Sequence, residues 1–139
     1  LLRAMLFYVG QFPERLHHPK EDAWLFRKLR ERTSECDGLL SELEQQHVAG
    51  ARCFAELGQA LEAGDRAAFR QGVHDFAEMQ WRHMRMEESL VLPAASRFLQ
   101  PADWKLIAEA FNTNADPRFG TGEAFENLAS RLLELAGRH

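Results

Sequence analysis

Apolar residues recur every three to four positions along almost the whole chain, which is the spacing of one face of an α-helix. The two clearest apolar stripes predict long helices over residues 38–62 and 66–98. The first stripe consists of Leu40, Leu43, His47, Ala51, Phe54, Leu57 and Leu61. The second stripe consists of Phe69, Val73, Phe76, Gln80, His83, Glu87, Leu90 and Ala94. Runs of alternating β-branched residues are missing from the sequence, so an all-α fold is expected.

Proline and glycine divide this helical pattern. A first helix over residues 1–11 is expected to end near Pro13, which opens a second stretch to about residue 32 with a kink at Pro19. Gly64 and Asp65 should end one long helix and cap the next, in which Pro93 introduces a late kink. Further short helices are predicted over 102–111 and after a turn-rich loop over 112–122. Long amphipathic helices joined by short loops indicate an up-and-down bundle.

Composition indicates a single domain over residues 1–139, with 45% hydrophobic and 27% charged residues. The formal net charge of -4 argues against a nucleic-acid partner. No apolar run reaches the roughly 20 residues of a membrane helix, so no membrane partner is expected. Cys36 and Cys53 lack a CxxC spacing, and two unpaired thiols predict a location in the reducing cytoplasm. No P-loop or Ser-His-Asp grouping points to a nucleotide-dependent enzyme or a hydrolase.

Polar residues interrupt both apolar stripes. His47 stands where the spacing calls for an apolar residue, and His83 and Glu87 occupy two successive core positions of the following helix. A buried carboxylate is costly without a partner, so such positions need an explanation. For His47 alone, it is sufficient to suppose that it is a core histidine with hydrogen-bond partners. His83 and Glu87 are four residues apart, however, and therefore lie on one helix face where both reach a single ion.

The same His–Glu spacing occurs at His17 and Glu21, in a similar local context. In both places the glutamate is succeeded by a second acidic residue and then by apolar residues. Similar half-sites on different helices are the way in which di-iron bundles are built. Imidazole and carboxylate groups both suit iron, and one carboxylate can bridge two ions.

Several segments resemble the signatures of the hemerythrin family's HHE cation-binding domains, of the bacterial type. These are His17-His18-Pro19-Lys20-Glu21-Asp22 with Leu25-Phe26, the lone-histidine segment Glu44-Gln45-Gln46-His47, and His83 with Glu87-Glu88 and Val91-Leu92-Pro93. The tail from Trp104 to Pro117 is similar to the C-terminal segment of bacterial members. The resemblance implies a four-helix bundle that holds two iron ions, although other divalent metals are possible. It implies the metal ligands His17, Glu21, His47, His83 and Glu87, with Glu21 and Glu87 as bridges.

Two further residues are assigned to the surroundings of that site. His18 lies about 100° around the helix from His17, so it is expected to be exposed or to support a ligand without binding the metal itself. Trp24, one turn beyond Glu21, is a candidate wall of the pocket. Asp22 and Glu88 are expected to be surface charges.

The chain opens on an apolar helical pattern without a cap, as though it begins inside a helix. Members of the family usually carry another histidine on a helix upstream of this point. The first bundle helix is therefore expected to be missing here, which would expose an apolar face and favour a homodimer.

Four functions remain open. The resemblance implies a protein that binds or senses a small ligand such as O₂ or NO. Iron storage, delivery or repair is a second possibility, and a metal-free helical interaction module is a third. A di-iron oxidase or peroxidase is the fourth, but the ferritin-like pattern has Glu-x-x-His and four glutamates. Here histidine precedes glutamate and histidines outnumber carboxylates, which favours binding over catalysis.

Overall fold

The computed structural model describes residues 2–10 and 17–112, and every element in this part of the chain is helical. Helix α1 covers Leu2–Val9, α3 covers Asp37–Ala63, and α5 covers Pro101–Asn112. Helix α2 runs through three segments, His18–Lys20, Glu21–Phe26 and Arg27–Arg32. Helix α4 likewise consists of Arg66–Met86, Glu87–Val91 and Leu92–Phe98. The predicted all-α bundle is confirmed, whereas Pro13 and the predicted elements after residue 112 lie outside the described residues.

Helices α3 and α4 form an antiparallel hairpin with a two-residue connection. Gly64 adopts a positive φ of 70°, and its N–H donates to the carbonyl of Leu61 while Asp65 N–H donates to that of Ala60. This pair of hydrogen bonds ends a helix in a Schellman motif. The Asp65 carboxylate then accepts from Ala68 N–H at 3.0 Å and caps α4. Both roles are those predicted from the sequence.

Helices α2 and α4 each contain one π-helical turn, which the sequence pattern does not predict. The turns are Glu21–Phe26 and Glu87–Val91, so each begins at a glutamate of a predicted half-site. Pro19 lies just before the first turn, and Pro93 lies just after the second. A π-turn has one residue more than an α-turn. The side chains before it are therefore rotated around the helix axis relative to the side chains after it.

The main apolar core lies at the end of the bundle where α2 leads into α3. It joins side chains of α2, α3, α4 and α5 and of two residues next to helix ends, Cys36 and Leu99. The core consists of Phe26, Leu29, Cys36, Leu40, Leu43, Val91, Ala95, Leu99 and Ile107. Cys36 directly precedes α3 and Cys53 lies far along it, so the two thiols are roughly 25 Å apart and do not bridge each other. Within the described residues, no helix combines the length and the apolar character of a membrane crossing.

Candidate metal centre

A cluster of imidazole and carboxylate groups lies directly beside the apolar core. His47 lies one turn of α3 beyond Leu43, and its ring stacks on the core residue Phe26 with the centroids 5.8 Å apart. The cluster consists of His18, Glu21, His47 and His83, all buried, and one ligand atom of each lies within 4.8 Å of the others. Its residues come from α2, α3 and α4, so the packing of three helices sets their positions.

The two central imidazoles face each other through the same ring atom. His47 Nε2 and His83 Nε2 are 3.0 Å apart, and both side chains are almost completely buried. The Nδ1 atom of each ring contacts a different side chain. His47 Nδ1 is 2.8 Å from Asp22 Oδ1, and His83 Nδ1 is 3.0 Å from Gln46 Oε1.

Two carboxylates border this pair of imidazoles. Glu21 places Oε1 2.8 Å from His17 Nε2 and Oε2 3.5 Å from His47 Nε2, so its two oxygens address two different histidines. Glu87 places Oε1 3.0 Å from His83 Nε2. The structure thus brings all five predicted ligand residues to one place, at the boundary between α2, α3 and α4.

Burial and mutual proximity determine the charge states in the cluster. Burial, together with the neighbouring His18 and His83, lowers the pKa of His47 to about 3, so this imidazole is neutral at physiological pH. Burial acts to raise the pKa of Glu21, but the hydrogen bond from His17 and the nearby imidazoles outweigh it and lower the pKa. Burial and the charges of Glu44 and Glu21 raise the pKa of Asp22 to about 6. Neutral imidazoles beside an ionised carboxylate are the protonation states that a metal ion requires.

The model of the hemerythrin HHE cation-binding domain matches residues 2–95 of the chain, a range that contains the whole cluster. The chain belongs to this family. No curated protein and no solved structure matches it significantly.

The donor set of this HHE domain fits a metal ion. Two nitrogens that each bind one ion at about 2.1 Å and at a right angle lie about 3.0 Å apart, which agrees with the separation of the two Nε2 atoms. Glu21 Oε2 and Glu87 Oε1 are buried beside these nitrogens without a hydrogen bond, although each lies close to an imidazole. Buried carboxylate oxygens of this kind need a positive partner. The HHE domain therefore holds a potential metal site built from histidine and glutamate.

The structure differs from the sequence-based expectation at His18. Helical spacing predicts an exposed or merely supporting group, but the His18 side chain is buried and stacks on the His47 ring at a centroid distance of 4.2 Å. His18 thus belongs to the cluster and His17 lies next to it, and both precede the π-helical turn that alters the facing of α2. Trp24, within that turn, is 39% exposed.

Asp22 and Gln46 contact two of the candidate ligands, which the sequence pattern does not reveal. The pattern predicts a surface charge at Asp22, but this residue hydrogen-bonds the buried His47 and is itself only partly exposed. Gln46 directly precedes His47, and its amide contacts His83 on the neighbouring helix. The position of Gln46 beside the lone histidine is the one sequence signal for its role.

A cavity of about 210 Å³ reaches the cluster from the side of α1. His17, His18, His83 and Glu87 line its polar side, and Val9, Phe76, Gln80 and Met84 complete its wall. The volume accommodates a small molecule next to the imidazoles and carboxylates. The lining thus combines candidate ligands with apolar side chains.

Proposed function

We propose that this HHE domain binds two non-heme iron ions and uses them to bind or sense a small ligand such as O₂ or NO. The observation that carries the proposal is the position of Glu21. Its two carboxylate oxygens face His17 on one side and His47 on the other, which is the arrangement of a bridge between two ions. His47, His83 and Glu87 would hold one ion, and His17 and His18 would contribute to the other.

Iron in such a site supplies reversible electron transfer to a small bound ligand. The chain itself provides neutral nitrogen donors, since burial keeps the imidazole of His47 unprotonated. Glu21 and Glu87 supply negative charge that offsets the charge of the ions. The apolar side chains Val9 and Phe76 limit the water that reaches the cavity beside them. This environment favours a small apolar ligand over water at an open position.

The function is tested with protein reconstituted anaerobically with Fe²⁺, desalted, and exposed to O₂ or NO. We expect about two bound iron ions per chain and a change in the visible spectrum on exposure to either gas. Glu21→Gln removes the bridging charge and should reduce the bound iron to one ion per chain or fewer. Glu88→Gln, on the exposed surface of the same π-helical turn as Glu87, is the matched control and should behave as wild type.

A wild-type chain that binds no iron would contradict the metal site. Iron that binds but whose spectrum responds to neither O₂ nor NO would contradict the ligand-binding role and leave storage or delivery of iron. Equal iron content in the Glu21→Gln and Glu88→Gln variants would contradict the bridging role of Glu21.

A further inference from the structure

We infer that Asp22 and Gln46 are positioning residues that hold His47 and His83 in the Nδ1–H tautomer, so that both Nε2 lone pairs point toward each other. The inference rests on the proposed metal site but not on the identity of the ion. It assigns a role to two residues that are not themselves candidate ligands. In metal sites generally, the hydrogen bond made by the second ring nitrogen sets the tautomer and orientation of a histidine ligand.

Asp22 fixes the tautomer of His47. The ionised carboxylate has only acceptor oxygens, so the hydrogen atom in the 2.8 Å contact must belong to His47 Nδ1. A neutral imidazole carries one N–H group, and its other nitrogen then presents a lone pair. With Nδ1 protonated, the Nε2 atom of His47 is the lone-pair atom, and it faces His83.

Gln46 fixes the tautomer of His83 through a chain of two contacts. An amide can present either its oxygen or its NH₂ group, so its orientation must be set by another partner. Glu42 lies 3.2 Å from Gln46 Nε2, and because the Glu42 carboxylate only accepts, it holds the NH₂ group on that side. The amide oxygen therefore faces His83 Nδ1 at 3.0 Å, and this ring nitrogen must donate. Arg82, 3.6 Å from Glu42, adds an opposite charge that favours the ionised carboxylate.

The two tautomers together produce an unfavourable contact in the metal-free chain. If each ring carries its one hydrogen atom on Nδ1, no hydrogen atom lies between the Nε2 atoms, which are nevertheless 3.0 Å apart in a buried position. Glu87 Oε1 lies 3.0 Å from His83 Nε2 but makes no hydrogen bond, so it does not place a hydrogen atom on that nitrogen. Two lone pairs at this distance repel each other and have lost contact with water. A single cation can bind both lone pairs at once. The outer hydrogen bonds thus prepare the cluster for a metal ion before any ion binds.

The tautomers can be read directly in uniformly ¹⁵N-labelled, metal-free protein by long-range ¹H–¹⁵N correlation spectra of the imidazole rings. We expect the wild-type chain to show Nδ1–H for His47 and for His83. Asp22→Leu should release the tautomer of His47 only, and Gln46→Leu that of His83 only. Gln45→Leu, the exposed neighbour on α3, is the control and should leave both tautomers unchanged. Gln46→Glu keeps an acceptor oxygen and should restore Nδ1–H at His83.

Titration with Fe²⁺ under anaerobic conditions gives the functional consequence. Asp22→Leu and Gln46→Leu should each weaken Fe²⁺ binding about 10- to 100-fold, while Gln45→Leu binds as wild type. Wild-type spectra that show Nε2–H in either ring overturn the inference, and this result needs no variant to fold. Unchanged tautomers in both leucine variants also overturn it. Because the tautomers are read without metal, Nδ1–H rings in a wild-type chain that binds no iron support the inference and contradict only the proposed function.

Discussion

At the scale of single residues, His47 is a position where a candidate metal ligand lowers the stability of the metal-free fold. Its side chain is almost completely buried between the rings of Phe26 and His18, at a position where the stripe of α3 otherwise carries apolar residues. The hydrogen bond to Asp22 satisfies Nδ1, but Nε2 faces another imidazole nitrogen. A buried polar atom without a suitable partner costs about 1–3 kcal/mol. On the tautomers that we infer, the metal-free chain therefore carries a cost that a bound metal ion would remove.

Replacing His47 by leucine should reveal this cost. We expect His47→Leu to raise the free energy of unfolding of the metal-free chain by about 1 kcal/mol. It removes an Nε2 atom that has no hydrogen-bond partner on the inferred tautomers, while the side chain of Asp22, which loses its bond to His47, is 35% exposed and can bind water instead. The same variant should lose iron binding. Chemical denaturation of the metal-free protein and iron analysis after reconstitution measure the two effects. His74→Leu is the control, since His74 is exposed, and it should change neither quantity. A destabilised His47→Leu variant that retains wild-type iron content would contradict this account.

At the scale of elements, the two π-helical turns connect the site with the core. On α4, His83 belongs to the cluster and Glu87 contacts it, while Val91 and Ala95 further along belong to the core. On α2, Glu21 belongs to the cluster, while Phe26 and Leu29 belong to the core. In each helix, therefore, candidate metal ligands lie before the π-turn or at its first residue, and core residues come after that residue. Both groups must face the inside of the bundle. The extra residue in each π-turn rotates the part of the helix that carries the candidate ligands relative to the part that carries the core residues.

Deleting Ser89, an exposed residue in the turn of α4, tests this role. The deletion should convert the turn to α-helix and rotate His83 and Glu87 by about 100° relative to the core residues beyond it. Since the core positions bury more apolar surface, we expect them to stay in place and the ligands to move away. Fe²⁺ affinity should fall by at least about 100-fold while the helical circular dichroism signal is retained.

Ser89→Ala keeps the chain length and is the control for the Ser89 deletion, with wild-type affinity expected. Wild-type Fe²⁺ affinity in the deletion variant would show that the π-turn does not set the position of His83 and Glu87.

At the scale of the whole molecule, charged pairs connect the helices around the site. Arg30 of α2 donates to both carboxylate oxygens of Glu44 of α3 through Nη1 and Nη2. Arg32 donates to both carboxylate oxygens of Asp103 of α5 through Nε and Nη2, at 2.8 and 2.9 Å. Asp103 also accepts from the backbone N–H of Gln100 at 2.9 Å, so it caps the start of α5 as well. Paired hydrogen bonds between arginine and carboxylate define geometry as well as energy. These contacts therefore help to position α2, which carries His18 and Glu21 of the cluster.

The pair of Arg32 and Asp103 predicts a dependence of stability on pH. The hydrogen bonds from Arg32 and from Gln100 N–H lower the pKa of Asp103 to about 2, below its ordinary value of 3.8. Because the folded pKa is the lower one, the stabilisation is complete above about pH 4 and is lost as the pH falls toward 2. Asp103→Asn should lower Tm on the order of 5 °C at pH 7.

The difference in Tm between wild type and Asp103→Asn should shrink between pH 4 and pH 2. Thermal melts monitored by circular dichroism at several pH values measure it. Asp75→Asn, an exposed carboxylate on α4, is the control and should show a small difference at every pH. A difference for Asp103→Asn that stays constant down to pH 2 would contradict the role of the carboxylate charge.

The sequence predicts the helices well because their signals are local. The apolar stripes define α3 and α4, and Gly64 and Asp65 define the connection between them. His47, His83 and Glu87 are recognisable because each replaces an apolar residue in a stripe. The facing of His18 and the contacts of Asp22 and Gln46 are not recognisable in this way. They depend on the π-turn in α2 and on ring orientations across different helices, which hydrophobic periodicity does not encode.

In the site that we propose, a metal ion would bind the Nε2 atoms of His47 and His83, beside Glu21 and Glu87. The most direct measurement is a crystal structure of the iron-loaded chain with data collected at the iron absorption edge. The account predicts an anomalous peak about 2.1 Å from both Nε2 atoms, with Asp22 and Gln46 still bound to the Nδ1 atoms. A peak bonded to either Nδ1 atom, or iron only at sites away from these two histidines, would contradict it.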